Sequence, residues 1–118
     1  MPARIVIAHD DAEFVYNTAI ALQAAGYDVR AFADSMSALT TLEAAHRVEL
    51  LFTRVLFPEG QPNGVALGRM ARVKRPGVKV LLVGRPDTEA HTEGVGEFLP
   101  AGVTASEVVE TVEKMLAT

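Results

Sequence analysis

The apolar pattern changes period several times along the chain, and the changes fall at turn residues. Ile5-Val6-Ile7-Ala8 is a continuous apolar run, rich in β-branched residues and too short for a helix, which predicts a strand buried on both faces. Asp10 and Asp11, both good helix N-cap types, follow it. From Ala12 to Ala25 the apolar residues Phe14, Val15, Ala19, Leu22 and Ala25 recur at helical spacing, and Gly26 supplies a left-handed stop. Tyr27 to Phe32 alternates as an edge strand does. Asp34 or Ser35 then caps a second helix carrying Ala38, Leu39, Leu42 and Ala45.

Leu50-Leu51-Phe52 predicts a third strand leading into Thr53 and Arg54. The stretch from Pro58 to Gly64 has loop composition, with two prolines, two glycines and Asn63. Val65, Leu67, Met70, Ala71 and Val73 form a helical stripe closed by Pro76-Gly77, and Val78 to Val83 is a nearly all-apolar fourth strand. Gly84 to Gly96 is polar, with at most a short helix near Thr88–Glu93. Gly96 to Leu99 makes a short fifth strand. Thr104-Ala105-Ser106-Glu107 is a capping box that opens a last helix with Val108, Val109, Val112, Met115 and Leu116 inward.

Strands alternating with helices, the strands mostly continuous in apolar residues, imply a parallel sheet covered on both faces. Five strands and about five helices fit the doubly wound, flavodoxin-like α/β arrangement with strand order 2-1-3-4-5. In such sheets the functional crevice lies beyond the carboxyl ends of the strands, where the first and third strands meet. The residues expected there are His9, Asp10, Asp11, Thr53, Arg54, Gly84, Arg85, Pro100 and Ala101.

Composition narrows the function classes. A length of 118 residues predicts a single domain over 1–118, with no room for an output domain. The absence of cysteine excludes disulfides, thiolate metal sites and cysteine nucleophiles, and fits a reducing cytoplasm. Eleven basic against fifteen acidic side chains give a net charge of −4, which disfavours a broad nucleic-acid footprint. No apolar run approaches the ~20 residues that cross a bilayer, and the opening MPARIVIAHDD reaches charge too soon for a signal peptide. Neither a GxSxG turn nor a phosphate-cradling glycine loop follows a strand, so no enzyme class is indicated.

Several runs, in order and at the right spacing, resemble the receiver domains of two-component response regulators. Ile5-Val6-Ile7-Ala8-His9-Asp10-Asp11 stands where that family has an apolar strand ending in an acidic pair. Ala25-Gly26-Tyr27-Asp28-Val29 is similar to its helix-to-strand turn. The run from Glu49 to Pro58 is similar to its third strand, phosphoacceptor and following proline. Gly94-Val95-Gly96-Glu97-Phe98-Leu99 is similar to its approach to the fifth strand, with Phe98 at the switch-aromatic position. The likeness covers essentially the whole chain.

The resemblance also implies which groups to look for. Receivers hold magnesium on two carboxylates after the first strand and phosphorylate an aspartate after the third. A serine or threonine after the fourth strand and a lysine after the fifth contact the phosphoryl oxygens. Here those positions carry His9 and Asp10, then Arg54, Gly84 and Ala101, so Asp10 alone keeps its type. Magnesium takes an octahedral shell of oxygens, and a guanidinium offers it no lone pair. Two unit charges ~4 Å apart repel by about 4 kcal/mol at an effective dielectric of ~20, and a divalent ion doubles that. Phosphotransfer by the family's route is therefore not expected, nor any metal or cofactor. Arg54 is expected instead to pair with Asp10 or Asp11, guanidinium to carboxylate.

The remaining candidates have plainer readings beside the sharper ones. Asp10 and Asp11 can cap the first helix, His9 is expected as a hydrogen-bonded loop histidine, and Phe98 as a core residue. Arg69, Arg72, Lys74 and Arg75 form the one basic cluster, expected as a solvated helix face. The fourth helical segment is shorter than receivers usually have, and the loop after Phe57 is longer. The expectation is a degenerate receiver-like domain acting through protein–protein contact, its partner a sensor kinase, another receiver or an effector, with a homodimer possible. The alternative is a small-molecule or anion sensor with Arg54, Arg85 and His9 lining the strand-end crevice.

Overall fold

The computed structural model describes residues 2–58 and 60–117. Its strands are β1 (Arg4–Ala8), β2 (Asp28–Phe32), β3 (Leu50–Arg54), β4 (Lys79–Gly84) and β5 (Glu97–Pro100). The α-helices are α1 (Ala12–Ala24), α2 (Ser35–Ala44), α3 (Gly64–Lys74) and α4 (Ala105–Leu116), and a 3-10 helix spans Pro86–Thr92 between β4 and β5. The strands form one parallel sheet in the order β2-β1-β3-β4-β5. This is the flavodoxin-like arrangement that the apolar pattern predicts, with its fourth helical segment reduced to the 3-10 turn.

Alternation along each strand divides the core between the two faces of the sheet. Val6, Ala8, Leu51, Val80 and Leu82 pack with Ala38 and Leu42 of α2 and Leu67 and Ala71 of α3. Ile5, Ile7, Leu50, Phe52, Leu81 and Val83 pack with Leu22 of α1 and Val108, Val112 and Met115 of α4. The large aliphatics of the central strands are fully buried, each worth about 1.5–3 kcal/mol of transfer free energy. The register puts Ala8 opposite both Phe32 and Thr53, so β1 ends level with β2, and β3 runs one residue further to Arg54.

Side-chain caps start every α-helix at a residue with an extended backbone. Asp11 accepts from the Phe14 amide (3.2 Å), Asp34 from that of Ser37 (2.6 Å), and Asn63 from that of Ala66 (2.8 Å). Thr104 and Glu107 close the reciprocal box read from the sequence, at 2.9 and 3.1 Å. Gly26, at φ +100°, turns the chain out of α1.

Some details differ from the pattern reading. Tyr27 precedes β2, its amide still bonded to the Leu22 carbonyl of the α1 exit turn (3.1 Å). The short helix begins at Pro86, where a proline tolerates its missing N–H, and ends at Thr92. Val73 is 79% exposed: the buried stripe of α3 is Gly64, Leu67, Gly68 and Ala71, and a residue two beyond Ala71 faces away from it.

Candidate functional site

The carboxyl ends of β1 and β3 lie side by side, with Ala8 opposite Thr53. The His9 amide donates to the Phe32 carbonyl (3.1 Å), carrying the β1–β2 ladder one residue past the strand. The His9 ring is then held on two sides: its Nδ1 accepts from the Asp11 amide (3.1 Å), and its centroid lies 4.8 Å from that of Phe14. Phe14 in turn leans on the buried Phe52, 6.0 Å away. Burial, followed by the charge of Arg54, lowers the His9 pKa below 6.5 against the opposing pull of Asp10 and Asp11. The imidazole is therefore the neutral, acceptor form that the Asp11 amide needs.

The two aspartates divide the roles open to them. Asp11 is the N-cap of α1. Asp10 reaches across the strand ends to Arg54, the last residue of β3, whose Nη1 donates to Asp10 Oδ1. Partial burial raises the Asp10 pKa, but the hydrogen bond and charge from Arg54 outweigh it and hold the carboxyl below its ordinary value. Thr53, fully buried beside it, spends its hydroxyl on the Arg54 carbonyl (3.0 Å).

Beyond β4, Gly84 owes its identity to space. A β-carbon there would stand 2.8 Å from Thr88 Oγ1 and 3.0 Å from Val55 Cγ2. Thr88 fills that volume because its hydroxyl folds back to donate to the Arg85 carbonyl (2.6 Å), closing the first turn of the 3-10 helix. Ala101 lies just past β5, its amide donating to the Gly84 carbonyl (2.7 Å). Arg85 is engaged by Asp87 through both oxygens, at 3.2 and 3.1 Å.

A cleft of about 180 Å³ lies among His9, Asp11, Arg54, Gly84, Arg85 and Ala101. The fold thus brings six of the nine expected strand-end residues to one cleft, with Asp10 joined to them through Arg54, while Thr53 and Pro100 lie outside its lining. Phe98 lies apart, half-buried in β5 against the core on the α2 and α3 side. Gln61, on the long loop after Phe57, was not foreseen: its Oε1 accepts from the Ser35 amide (3.1 Å) and tethers the loop to the start of α2. The roles of Asp87 and Thr88 were also missed, although the run Arg85-Pro86-Asp87-Thr88 has the residue types of a helix start.

The donor set does not fit magnesium. The Asp10 carboxylate is engaged by a guanidinium, Asp11 by a backbone amide, and His9 Nδ1 by another. Among the described residues no three His, Cys, Asp or Glu side chains group closely enough to hold a metal ion. A hard divalent cation takes an oxygen shell, and the Arg54 guanidinium beside Asp10 brings a positive charge and no lone pair.

The sequence matches no protein-family profile. The fold is similar to solved receiver domains. Against a CheY-like response regulator receiver domain protein from Methanospirillum hungatei JF-1 the TM-score is 0.87 at 22% identity, covering 99% of this chain and 95% of that one. Against the chemotaxis response regulator CheY4 of Vibrio cholerae it is 0.84 at 20% identity, covering 97% and 98%. Against the receiver domain of the hybrid histidine kinase CckA it is 0.81 at 27% identity, covering 97% and 99%. The chain has the fold of CheY-like receiver domains along nearly its whole length.

Proposed function

We propose that this chain is a receiver-like domain of two-component signalling that works through protein–protein contact, without aspartate phosphorylation. The observation that carries the proposal is the ion pair between Arg54 and Asp10. A guanidinium stays protonated at physiological pH and is no nucleophile, so the end of β3 supplies no phosphoryl acceptor. Gly84 and Ala101 supply neither a hydroxyl nor an ammonium to meet phosphoryl oxygens.

What the chain keeps is a scaffold with reshaped surfaces. The Pro86–Thr92 turn leaves less helix over β4 and β5, and Gln61 pins an extended loop to α2. The partner classes consistent with this reading are a sensor kinase, another receiver or an effector, with a second copy of the chain among them, in the cytoplasm. No helix among the described residues is long and apolar enough to cross a membrane. Incubation with a small-molecule phosphodonor and magnesium is expected to leave the intact mass unchanged. An added phosphoryl group mapping to Asp10 or Asp11 would overturn the proposal.

A further inference from the structure

We infer that Arg54 is the resident cation of the strand-end cleft, a covalently tethered replacement for a divalent metal ion, so that the domain is indifferent to magnesium. The inference deepens the receiver-like reading and rests on it for the comparison with a metal site, while its content comes from this chain's own charges. Each charged group at the cleft is already compensated. Asp10 is matched by Arg54, and Arg85 by Asp87. Asp11 is matched by the amide it caps and by the positive end of the α1 dipole. His9 is held neutral, with its Nδ1 lone pair spent on the Asp11 amide.

Position makes the tether effective. Arg54 closes β3, and the β1–β3 register sets Ala8 level with Thr53, so the guanidinium and Asp10 face one another across neighbouring strand ends. Their side chains are 37% and 31% exposed, enough removed from solvent for the pair to be defined and too exposed to be a core contact. A divalent cation approaching Asp10 would have to displace a charge that is bonded to the protein and cannot be diluted away. That competition is one of effective concentration, which favours the tethered group.

The test compares magnesium dependence in the protein and in Arg54→Asp, which sets two carboxylates across the gap now bridged by the ion pair. Thermal melts are run in EDTA and in millimolar magnesium, with no phosphodonor present. The natural chain is expected to melt at the same temperature in both, with no heat of magnesium binding by titration calorimetry. Arg54→Asp is expected to be destabilised in EDTA and to recover with rising magnesium, because a ligand that binds only the folded state stabilises it. A saturable magnesium response in the natural chain would overturn the inference. So would an Arg54→Asp variant that is folded by circular dichroism yet insensitive to magnesium.

If Arg54→Asp does not fold, Arg54→Gln carries the test. In that variant the Asp10 carboxyl, followed by carbon NMR, is expected to titrate at higher pH than in the natural chain. An unchanged titration would overturn the inference. These readouts are independent of phosphoryl transfer, so they can fail while the mass of the phosphodonor-treated protein stays unchanged, and the converse also holds.

Discussion

The Arg54 guanidinium donates to the carboxylate of Asp10, while Asp11, one residue on, spends its own carboxylate on the Phe14 amide. Adjacent and chemically identical side chains thus do different work, and substitution separates them. Asp11→Ala is expected to cost about 1 kcal/mol through loss of the N-cap. Asp10→Ala is expected to cost less than about 1 kcal/mol, because exposed ion pairs contribute little. Urea denaturation of the two variants measures the difference, and the reverse ranking would contradict the assignment.

The lowered pKa of His9 predicts a pH dependence of stability with a definite sign. The unfolded chain takes up a proton near the ordinary imidazole value of 6.5, while the folded protein resists protonation until lower pH. Below that value the unfolded state binds more protons, so stability falls as pH decreases. Asp10 adds a second loss in more acid solution: its stabilisation is present above 3.8 and disappears as pH falls through its lowered folded value. His9→Gln is expected to flatten the urea-melt profile between about pH 7 and pH 5 relative to the natural chain. An unaltered slope would show that His9 is not the group responsible.

The basic cluster on and after α3 divides in the same manner. Arg75 Nε donates to the Leu42 carbonyl (2.7 Å) and its Nη2 to that of Ala45, tying down the end of α2. Lys74 pairs with Glu43 (3.3 Å), and Arg72 reaches the Gly94 carbonyl (3.3 Å). Arg69 is exposed and has no ion-pair partner among the described residues. Arg75→Ala is expected to cost roughly 1.5–3 kcal/mol, the range for hydrogen bonds to a charged group, and Arg69→Ala less than about 0.5 kcal/mol. Arg75→Lys keeps the charge without the planar fork and is expected to restore only part of the loss.

Legibility in the sequence followed the range of the interaction. The continuous run Ile5–Ala8 and the Thr104–Glu107 box are local signals, and both elements form where they predict. The strand-end residues were legible because parallel strands place their carboxyl ends together, which needs only the element order. Arg75 was not: one arginine in a basic run carries no sign that it reaches α2, more than thirty residues away in the chain. Val73 was misplaced because two glycines, Gly64 and Gly68, carry half of the buried stripe and register as breaks in an apolar count. The role of Thr88 beside Gly84 depends on a side-chain rotamer, which no periodicity records.

Thr18 offers a test inside the core. It is 1% exposed on the inward side of α1, and its hydroxyl has no hydrogen-bond partner among the described residues. Thr18→Val keeps the β-branched shape and removes the unmet polar group. A gain of about 1 kcal/mol is expected, since a buried unsatisfied group costs ~1–3 kcal/mol. Loss of stability in thermal or urea melts would mean that the hydroxyl is satisfied in solution.

With Arg54 holding the strand-end cleft, the domain is expected not to respond to a phosphoryl group. The most direct measurement is the amide NMR spectrum of the protein with and without magnesium and beryllofluoride, a non-covalent phosphoryl mimic. The spectra are expected to superimpose at His9, Thr53, Gly84 and Phe98. Saturable shifts running from the cleft to Phe98 would contradict the account.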